Sequence, residues 1–431
     1  MRRLYIVLLL VLFTVPAKSQ IMLNDLMDTT SALSKGFMSM YQKFHWMRLS
    51  AYMQPQWQLA EDKGIRTFAG PDFMPGVSNR FVLRRARMRA DYMRLTDAGD
   101  PTVQIAFQFD VNERGFSIRD VWGRVFENKW NVLSLTGGMF ARPFGYEINL
   151  SSSDRESPER ARASQTLMKS ERDLGVMITA EPRHSRYFSW MRADLAIVNG
   201  QGIAGTGDYD NHKDVIGRLH SKPQAINRSK WLLSGGASFF QGGIVSQAPV
   251  YYRADGATIV RDSASGNNGL LAPRRYYGFD AQLKIPNRKG YTELRGEYLR
   301  GRQTGTLSST ESPASYPLVS GAPGPLTTRP FDAAYFYLLQ HLGSTHHQAI
   351  VKLDWYDPNT SVGGEAVKSS AGHTAADVKY TTLGGGYIWY ISQNVKLTIY
   401  YDHPISESTS LAAHNEDLKD DVFTGRLQFR F

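Results

Sequence analysis

Arg85, Arg87 and Arg89 stand two positions apart between residues 79 and 95, with Asp91 next in the same series. A guanidinium keeps its charge at every pH a protein meets, and it forks two N–H groups onto the oxygens of a carboxylate or a phosphate. Three in line, about 7 Å per step along a strand, suit one of two kinds of chemistry. They hand an anion from one weak site to the next, or they tie the carboxylates Asp91, Asp110, Asp120 and Glu293 into a lattice of ion pairs. The sequence leaves both readings open, and both need the same support, an element in which every second side chain meets water. Val82, Ala86, Met88, Ala90 and Tyr92 hold the other parity, so one face is apolar and the other charged. A helical period would spread the arginines around a cylinder and leave no apolar stripe. Lipid outside and water inside is the environment that accepts both faces, as in the wall of a transmembrane β-barrel. The same parity turns Arg124, Arg192, Arg218, Arg295, Lys352 and Lys396 toward the lumen. It sends Arg84 and Arg94 to the lipid side, where long basic side chains snorkel to an interface.

The elements that must hold this row recur along the chain. Alternation starts at Met47, with Leu49, Ala51, Met53, Trp57 and Leu59 opposite Ser50, Tyr52, Gln54, Gln56 and Gln58. It returns at 79–95, 103–111, 116–126, 131–142, 172–180, 187–199, 213–221, 231–242, 274–285, 291–302, 333–341, 348–356, 378–389, 394–402 and 422–431. Each run has about the ten residues that a tilted strand needs to cross a bilayer. The pattern predicts an all-β, antiparallel barrel of about sixteen strands, an even number as single-chain bacterial barrels have. Short connections (97–101, 127–130, 181–186, 221–230, 286–290, 342–345, 391–393) alternate with longer ones (61–78, 143–171, 200–212, 243–273, 303–332, 358–376, 403–418), the tight turn at 112–115 excepted. In bacterial outer membranes short turns face the periplasm and long loops face outside. Tyr276, Tyr277, Trp355, Tyr387, Trp389, Tyr400 and Tyr401 fall toward strand ends, where interfacial girdles belong. The terminal run Arg426, Leu427, Gln428, Phe429, Arg430, Phe431 resembles the signal read by the barrel-assembly machinery, with Phe431 facing lipid.

Arg2 and Arg3, an apolar run from Leu4 to Val15, and Ala17 and Ser19 read as a secretory leader over 1–19. Residues 20–46, with a short helix near 24–41, read as a periplasmic lead-in, and 47–431 as the barrel. The net charge of +10 gives a weak preference for anionic partners. With no cysteine there is no disulfide framework and no thiolate metal site. His341, His346, His347 and His403 lie near strand ends with no serine or carboxylate specifically spaced beside them, which speaks against a hydrolase. No metal, cofactor or nucleic acid is expected.

The connection 143–171 is the candidate constriction, because its length lets it fold inward and Gly145 gives it a bend. It carries Arg155, Arg160, Arg162 and Lys169 among Asp154, Glu156 and Glu159, and Arg142 and Arg172 flank it. Its charges are mixed, so no ion preference follows from it. Five short motifs add a family likeness. They are Gly137 to Gly145, reading GGMFARPFG; Arg172 to Val176; Val198, Asn199, Gly200 with Lys213, Asp214, Gly217 and Arg218; Glu297 to Arg302; and Asp354 to Thr360. In this order and at barrel spacing they resemble the phosphate-selective porin O/P family across nearly the whole mature chain. The resemblance implies a homotrimer in a Gram-negative outer membrane, a third external loop folded into the lumen, and passive diffusion of phosphate, polyphosphate or other small anions. It does not assign selectivity to particular arginines. A general, non-selective porin and a structural or adhesive barrel whose loops bind a partner are the alternatives.

Overall fold

A computed structural model describes residues 46–184, 187–205, 207–226 and 231–431. The chain divides into Met1–Arg48 and Leu49–Phe431. The expected leader, and the lead-in with its helix up to residue 45, lie outside the described residues.

Among the described residues, nineteen strands form one sheet. Three of them, Gln224–Ala225, Tyr251–Asp255 and Thr258–Asp262, are short loop elements. The wall consists of β1 (Met47–Ala60), β2 (Asn79–Leu95), β3 (Pro101–Asn112), β4 (Gly115–Phe126), β5 (Leu133–Ala141), β6 (Arg172–Ala180), β7 (Met191–Val198) and β8 (Asp214–Ser221), followed by β9 (Leu232–Val245), β10 (Leu271–Asn287), β11 (Gly290–Gly305), β12 (Leu326–His341), β13 (His347–Asp357), β14 (Tyr380–Tyr390), β15 (Val395–Ser406) and β16 (Val422–Arg430). Sequential neighbours pair antiparallel, and β1 pairs with β16 from Tyr52↔Arg430 to Ala60↔Val422, so the sheet closes and leaves no free edge strand. Short turns lie at one end of this transmembrane barrel and long loops at the other, with the two-residue β3–β4 turn as the exception.

The wall is inverted relative to a water-soluble protein. On β1, Leu49, Met53 and Leu59 are 60%, 44% and 43% exposed, whereas Gln54, Gln56 and Gln58 are 1%, 3% and 0% exposed. Apolar side chains facing outward around polar ones facing inward suit a barrel embedded in lipid. Phe431 is 77% exposed, just past the end of β16.

Strand pairing runs further than hydrophobic alternation in the second half. β11 and β12 stay paired from Thr292↔Gln340 to Gly305↔Thr327, well into the expected loop 303–332. Gln303, Thr304, Thr327, Thr328 and Arg329 in this extension are all buried and polar. Beyond the lipid both faces meet polar surroundings, so the ladder continues after its hydrophobic signal has stopped. The expected loop 243–273 likewise contains a hairpin of Tyr251–Asp255 with Thr258–Asp262.

Two local departures change which side chains face inward. The β3–β4 register jumps from Gln108↔Asp120 to Phe109↔Ile118, which leaves Arg119 as the extra residue of a bulge. β2 pairs with β3 only from Ala86 onward, so its first residues are free of that ladder.

Candidate functional site

The connection between β5 and β6, here L3 (142–171), lies inside the barrel. Its ends are fixed first. Arg142 donates to Asp173 at 2.7 Å and 3.1 Å and to the Gly200 carbonyl at 2.6 Å. The Gly200 N–H donates to Asp173 at 2.9 Å, and Arg274 donates to the same Gly200 carbonyl at 3.1 Å and to Asp214 at 2.6 Å. Gly200 has φ +100°, and a Cβ there would meet Asp214 at 2.2 Å, so the position requires glycine. The GGMFARPFG, RDLGV, VNG and KD motifs therefore meet in one buried clasp. Arg142 belongs to this clasp and not to the constriction, contrary to the expectation from sequence, because Asp173 lies directly across the β5–β6 ladder at Phe140↔Asp173 and Ala141↔Arg172.

Past the clasp the chain bends at Gly145, with φ +60° and its N–H on Ser238 at 2.9 Å. Glu297 accepts the N–H groups of Tyr146 and Glu147, each at 3.1 Å, and the Tyr335 hydroxyl at 2.8 Å. Phe140, Phe144, Ile148, Leu167 and Met168 pack with Tyr276, Phe331 and Tyr356 into an apolar cluster that holds the loop to the wall. Glu147 accepts from Ala161 N–H at 3.0 Å and from Ser164 at 2.7 Å, which closes L3 on itself above the short helix α1 (Arg162–Leu167).

The middle of L3 reaches the far wall. Ser152 takes hydrogen bonds with Tyr52 and Arg87, Ser157 with Tyr337, and Glu156 pairs with Arg295 at 3.0 Å. Lys396 donates to the carbonyls of Ser153 at 2.9 Å and Arg155 at 3.2 Å. Glu159 collects Arg84 at 2.8 Å, Arg85 at 2.7 Å and Arg426 at 2.9 Å, with Arg155 at 3.8 Å. Burial alone would raise the Glu159 carboxyl, but these four guanidiniums hold it well below the usual carboxylate range. Glu171 is held low in the same way by Arg160, Arg119, Arg172 and Arg87.

The row that opened the sequence reading faces the lumen and is paired. Arg87 bonds Asp110 at 2.9 Å, Arg89 bonds Asp91 at 2.7 Å and Asp120 at 3.2 Å, and Arg85 goes to Glu159. Glu293, expected in the same lattice, instead binds Arg295 at 2.7 Å. Arg172 bonds Asp120 at 3.0 Å, Arg218 bonds Asp280 at 2.9 Å, Arg192 bonds Asp194 at 2.9 Å and Lys352 bonds Asp354 at 2.9 Å. Arg160 pairs with Glu171, and Lys169 with Glu311 out on the surface. Arg162 stacks between the rings of Tyr380 and Phe68, 3.6 Å and 4.4 Å from their centroids. Arg124 bonds Thr136 at 2.7 Å and lies over Trp122 with no carboxylate partner among the described residues.

Arg84 corrects the parity rule. It pairs with Glu159 rather than snorkelling into lipid, because it lies above Ala86, where β2 has no β3 partner to fix its facing. Arg119 was missed for a related reason: the bulge puts it and Asp120 on the same side, where it pairs with Glu171. No one-dimensional signal marked that bulge. Arg426 shares its parity with Gln428 and Arg430, the signal that finds it in the sequence.

Water reaches the two sides of L3 unequally. Arg89 and Arg192 on the β2–β7 side keep about a third of their side-chain surface, 30% and 28%, whereas Lys352 and Arg155 keep 4% and 1%. Between L3, residues 67–69 and β13–β15 lies a cavity of about 20 Å³ whose lining includes Glu159, Arg162, Lys352, Asp354 and Asp402, space for a single water. On β2 itself the exposed share falls from Arg89 to Arg85 and Arg87, at 7% and 6%.

No family model and no curated protein sequence matches the chain. Solved structures do. The outer membrane channel DcaP of Acinetobacter baumannii aligns with TM-score 0.52 at 10% identity over 89% of this chain and 97% of that one. OprB of Pseudomonas putida gives 0.54 at 7% identity over 92% and 97%. OmpF of Salmonella typhi, in complex with daunomycin, gives 0.52 at 12% identity over 89% and 97%. At these identities the likeness establishes the fold.

Proposed function

We propose that the protein is an outer-membrane porin through which small anions, phosphate among them, diffuse passively between L3 and the β2–β7 wall. The observation that carries this reading is a loop seated across a closed barrel, with the guanidiniums of Arg89, Arg119, Arg160, Arg172 and Arg192 along its wetter side and Arg124 below them without a carboxylate. A fixed charge in a narrowed aqueous pore acts on ions in a medium less polarisable than bulk water, so a small surplus of one sign biases permeation. The phosphate-porin likeness of the five motifs supports the anion choice, and four of them also supply residues of the clasp and bend of L3. The channel and porin structures with the same fold support passive diffusion, and the family resemblance supports a homotrimer.

The close pairing of Arg85, Arg87 and Arg89 favours a second reading, a general porin with little charge preference. Zero-current potential in a salt gradient across a planar bilayer separates the two. Anion selectivity is expected. Arg124→Gln should reduce it with a stability loss of about 1 kcal/mol, since the Thr136 hydrogen bond is given up but no ion pair is broken. A potential near zero in the parent protein leaves the general porin.

A further inference from the structure

The Glu159 pocket holds more donors than its acceptor can use. Five hydrogen bonds reach the carboxylate: two from Arg84, two from Arg85 and one from Arg426. Its two oxygens offer about four lone-pair positions, so the site is saturated. Arg155 stands at 3.8 Å, its Nη1 is buried with no hydrogen-bond partner, and so is Nε2 of Gln56, whose Oε1 already serves Arg426. The remaining partners of these arginines are uncharged: Gln54 and Gln56 side chains and the Ser157 and Pro158 carbonyls. Lys396 sits on the neighbouring carbonyls of Ser153 and Arg155. Four guanidiniums thus share one contacting carboxylate, with Asp110 near Arg84, Glu147 near Arg155 and Asp402 near Arg426, and burying charge that is not fully neutralised is costly.

A doubly charged tetrahedral oxyanion suits this arrangement better than a carboxylate does. It offers more oxygens, more charge, and a geometry onto which several guanidinium forks fit at once. Arg85, Arg155, Arg426 and Glu159 are 1–7% exposed inside the barrel, so a ligand reaches them from the lumen as the middle of L3 moves and not from a lipid headgroup.

We propose that Glu159 is a tethered competitor in an anion-binding pocket formed by Arg84, Arg85, Arg155 and Arg426, and that a soluble doubly charged oxyanion displaces it and frees the middle of L3 from β2 and β16. The contact restrains the loop until such an anion is abundant, which couples the position of L3 to what is being transported. The inference rests on the anion-porin reading only for why the competitor is present. Its test reads binding rather than conduction.

Thermal unfolding of the purified full-length barrel in detergent is followed against inorganic phosphate, with sulfate as a second oxyanion and sodium chloride at equal ionic strength. In Glu159→Gln the amide keeps the shape and removes the competing charge. Its half-saturating phosphate concentration is expected to fall by about tenfold or more relative to the parent protein, and Glu159→Gln with Arg426→Gln to reverse the gain. Chloride should not reproduce the shift. Identical phosphate dependence in the parent and Glu159→Gln, or equal effects of phosphate and chloride, overturns the proposal. Should Glu159→Gln fail to fold in phosphate-free buffer, refolding decides: recovery in phosphate but not in matched chloride supports the pocket, and no recovery in either overturns it. A parent channel without anion selectivity whose Glu159→Gln variant still gains phosphate binding would end the anion-porin reading and leave this one intact. An anion-selective channel with no such gain would do the reverse.

Discussion

L3 is held by arginines at two places, and the two use them differently. At the clasp, Arg142 faces Asp173 and Arg274 faces Asp214, one carboxylate for each guanidinium, all almost wholly buried. At mid-loop, four guanidiniums share Glu159. A balanced, dry pair has no spare capacity for a visitor, and its worth lies in the cost of breaking it. A surplus keeps attraction in reserve. Charge type therefore says little about role in this protein, and the ratio of partners says much.

The sharpest way to break the comparison is at the clasp. Asp173→Ala leaves Arg142 buried without its partner and should cost about 3–5 kcal/mol, seen as a lower unfolding midpoint or a loss of heat-modifiable folded barrel. If its loss is as mild as that of a surface ion pair, the clasp is not the anchor described here. Next in size is the wall row. With Arg85, Arg87 and Arg89 all replaced by alanine, Asp110 and Asp91 lose their main partners, so the barrel should melt earlier and its zero-current potential should move toward cations. A folded, less stable triple variant that keeps its anion preference would reduce the row to wall ties.

Gly145→Ala tests the bend between the two regions. The residue sits at φ +60°, and a Cβ would lie 2.0 Å from Glu297 Oε1. The substitution should cost more than about 1 kcal/mol and give a larger, noisier single-channel conductance as L3 lifts, while the wall pairing survives. Unchanged conductance would mean that the clasp alone seats the loop.

The smallest effect concerns pH at the outer mouth. Burial pushes the Asp420 carboxyl up to about 7, against the pull of Arg162. Because its folded value lies above the unfolded one, the folded chain binds a proton that the unfolded chain has lost between about pH 4 and 7, so stability falls as pH rises through that window and is flat above it. Asp420→Asn should remove this slope and stabilise the 407–421 loop at pH 7.5. Hydrogen exchange of that loop at pH 5 and 7.5 measures both. The carboxylates of Glu159 and Glu171 have the opposite sign: their contribution is present above the ordinary carboxylate range and is lost only as pH falls below it.

Much of the wall was legible because one physical constraint, lipid on one face and water on the other, writes itself into every second residue. Parity put Gln54, Arg87 and Lys396 on the inside without any three-dimensional knowledge. It failed at Arg84 and Arg119, where a ladder ends or bulges, since parity is a property of an unbroken strand. The length of L3 and the bend at Gly145 marked the loop that crosses the lumen. What it touches was hidden, because three of the four partners of Glu159 lie 74, 75 and 267 positions away in the chain, and nothing local encodes which of those guanidiniums meets which carboxylate.

The Glu159 contacts also span the line where the barrel closes. Arg84 and Arg85 belong to β2, Gln56 to β1 and Arg426 to β16, and β1 and β16 join the first and last strands of the cylinder. L3 is made early in synthesis, yet it cannot complete this contact until the C-terminal strand has arrived. Loop closure over so long a separation is slow to form, so insertion of L3 and zipping of the final seam become one late event in folding. Chains whose last strand is missing or misaligned would leave the loop unseated, and the guanidiniums of β2 without their carboxylate, which gives quality control a feature that separates finished barrels from unfinished ones.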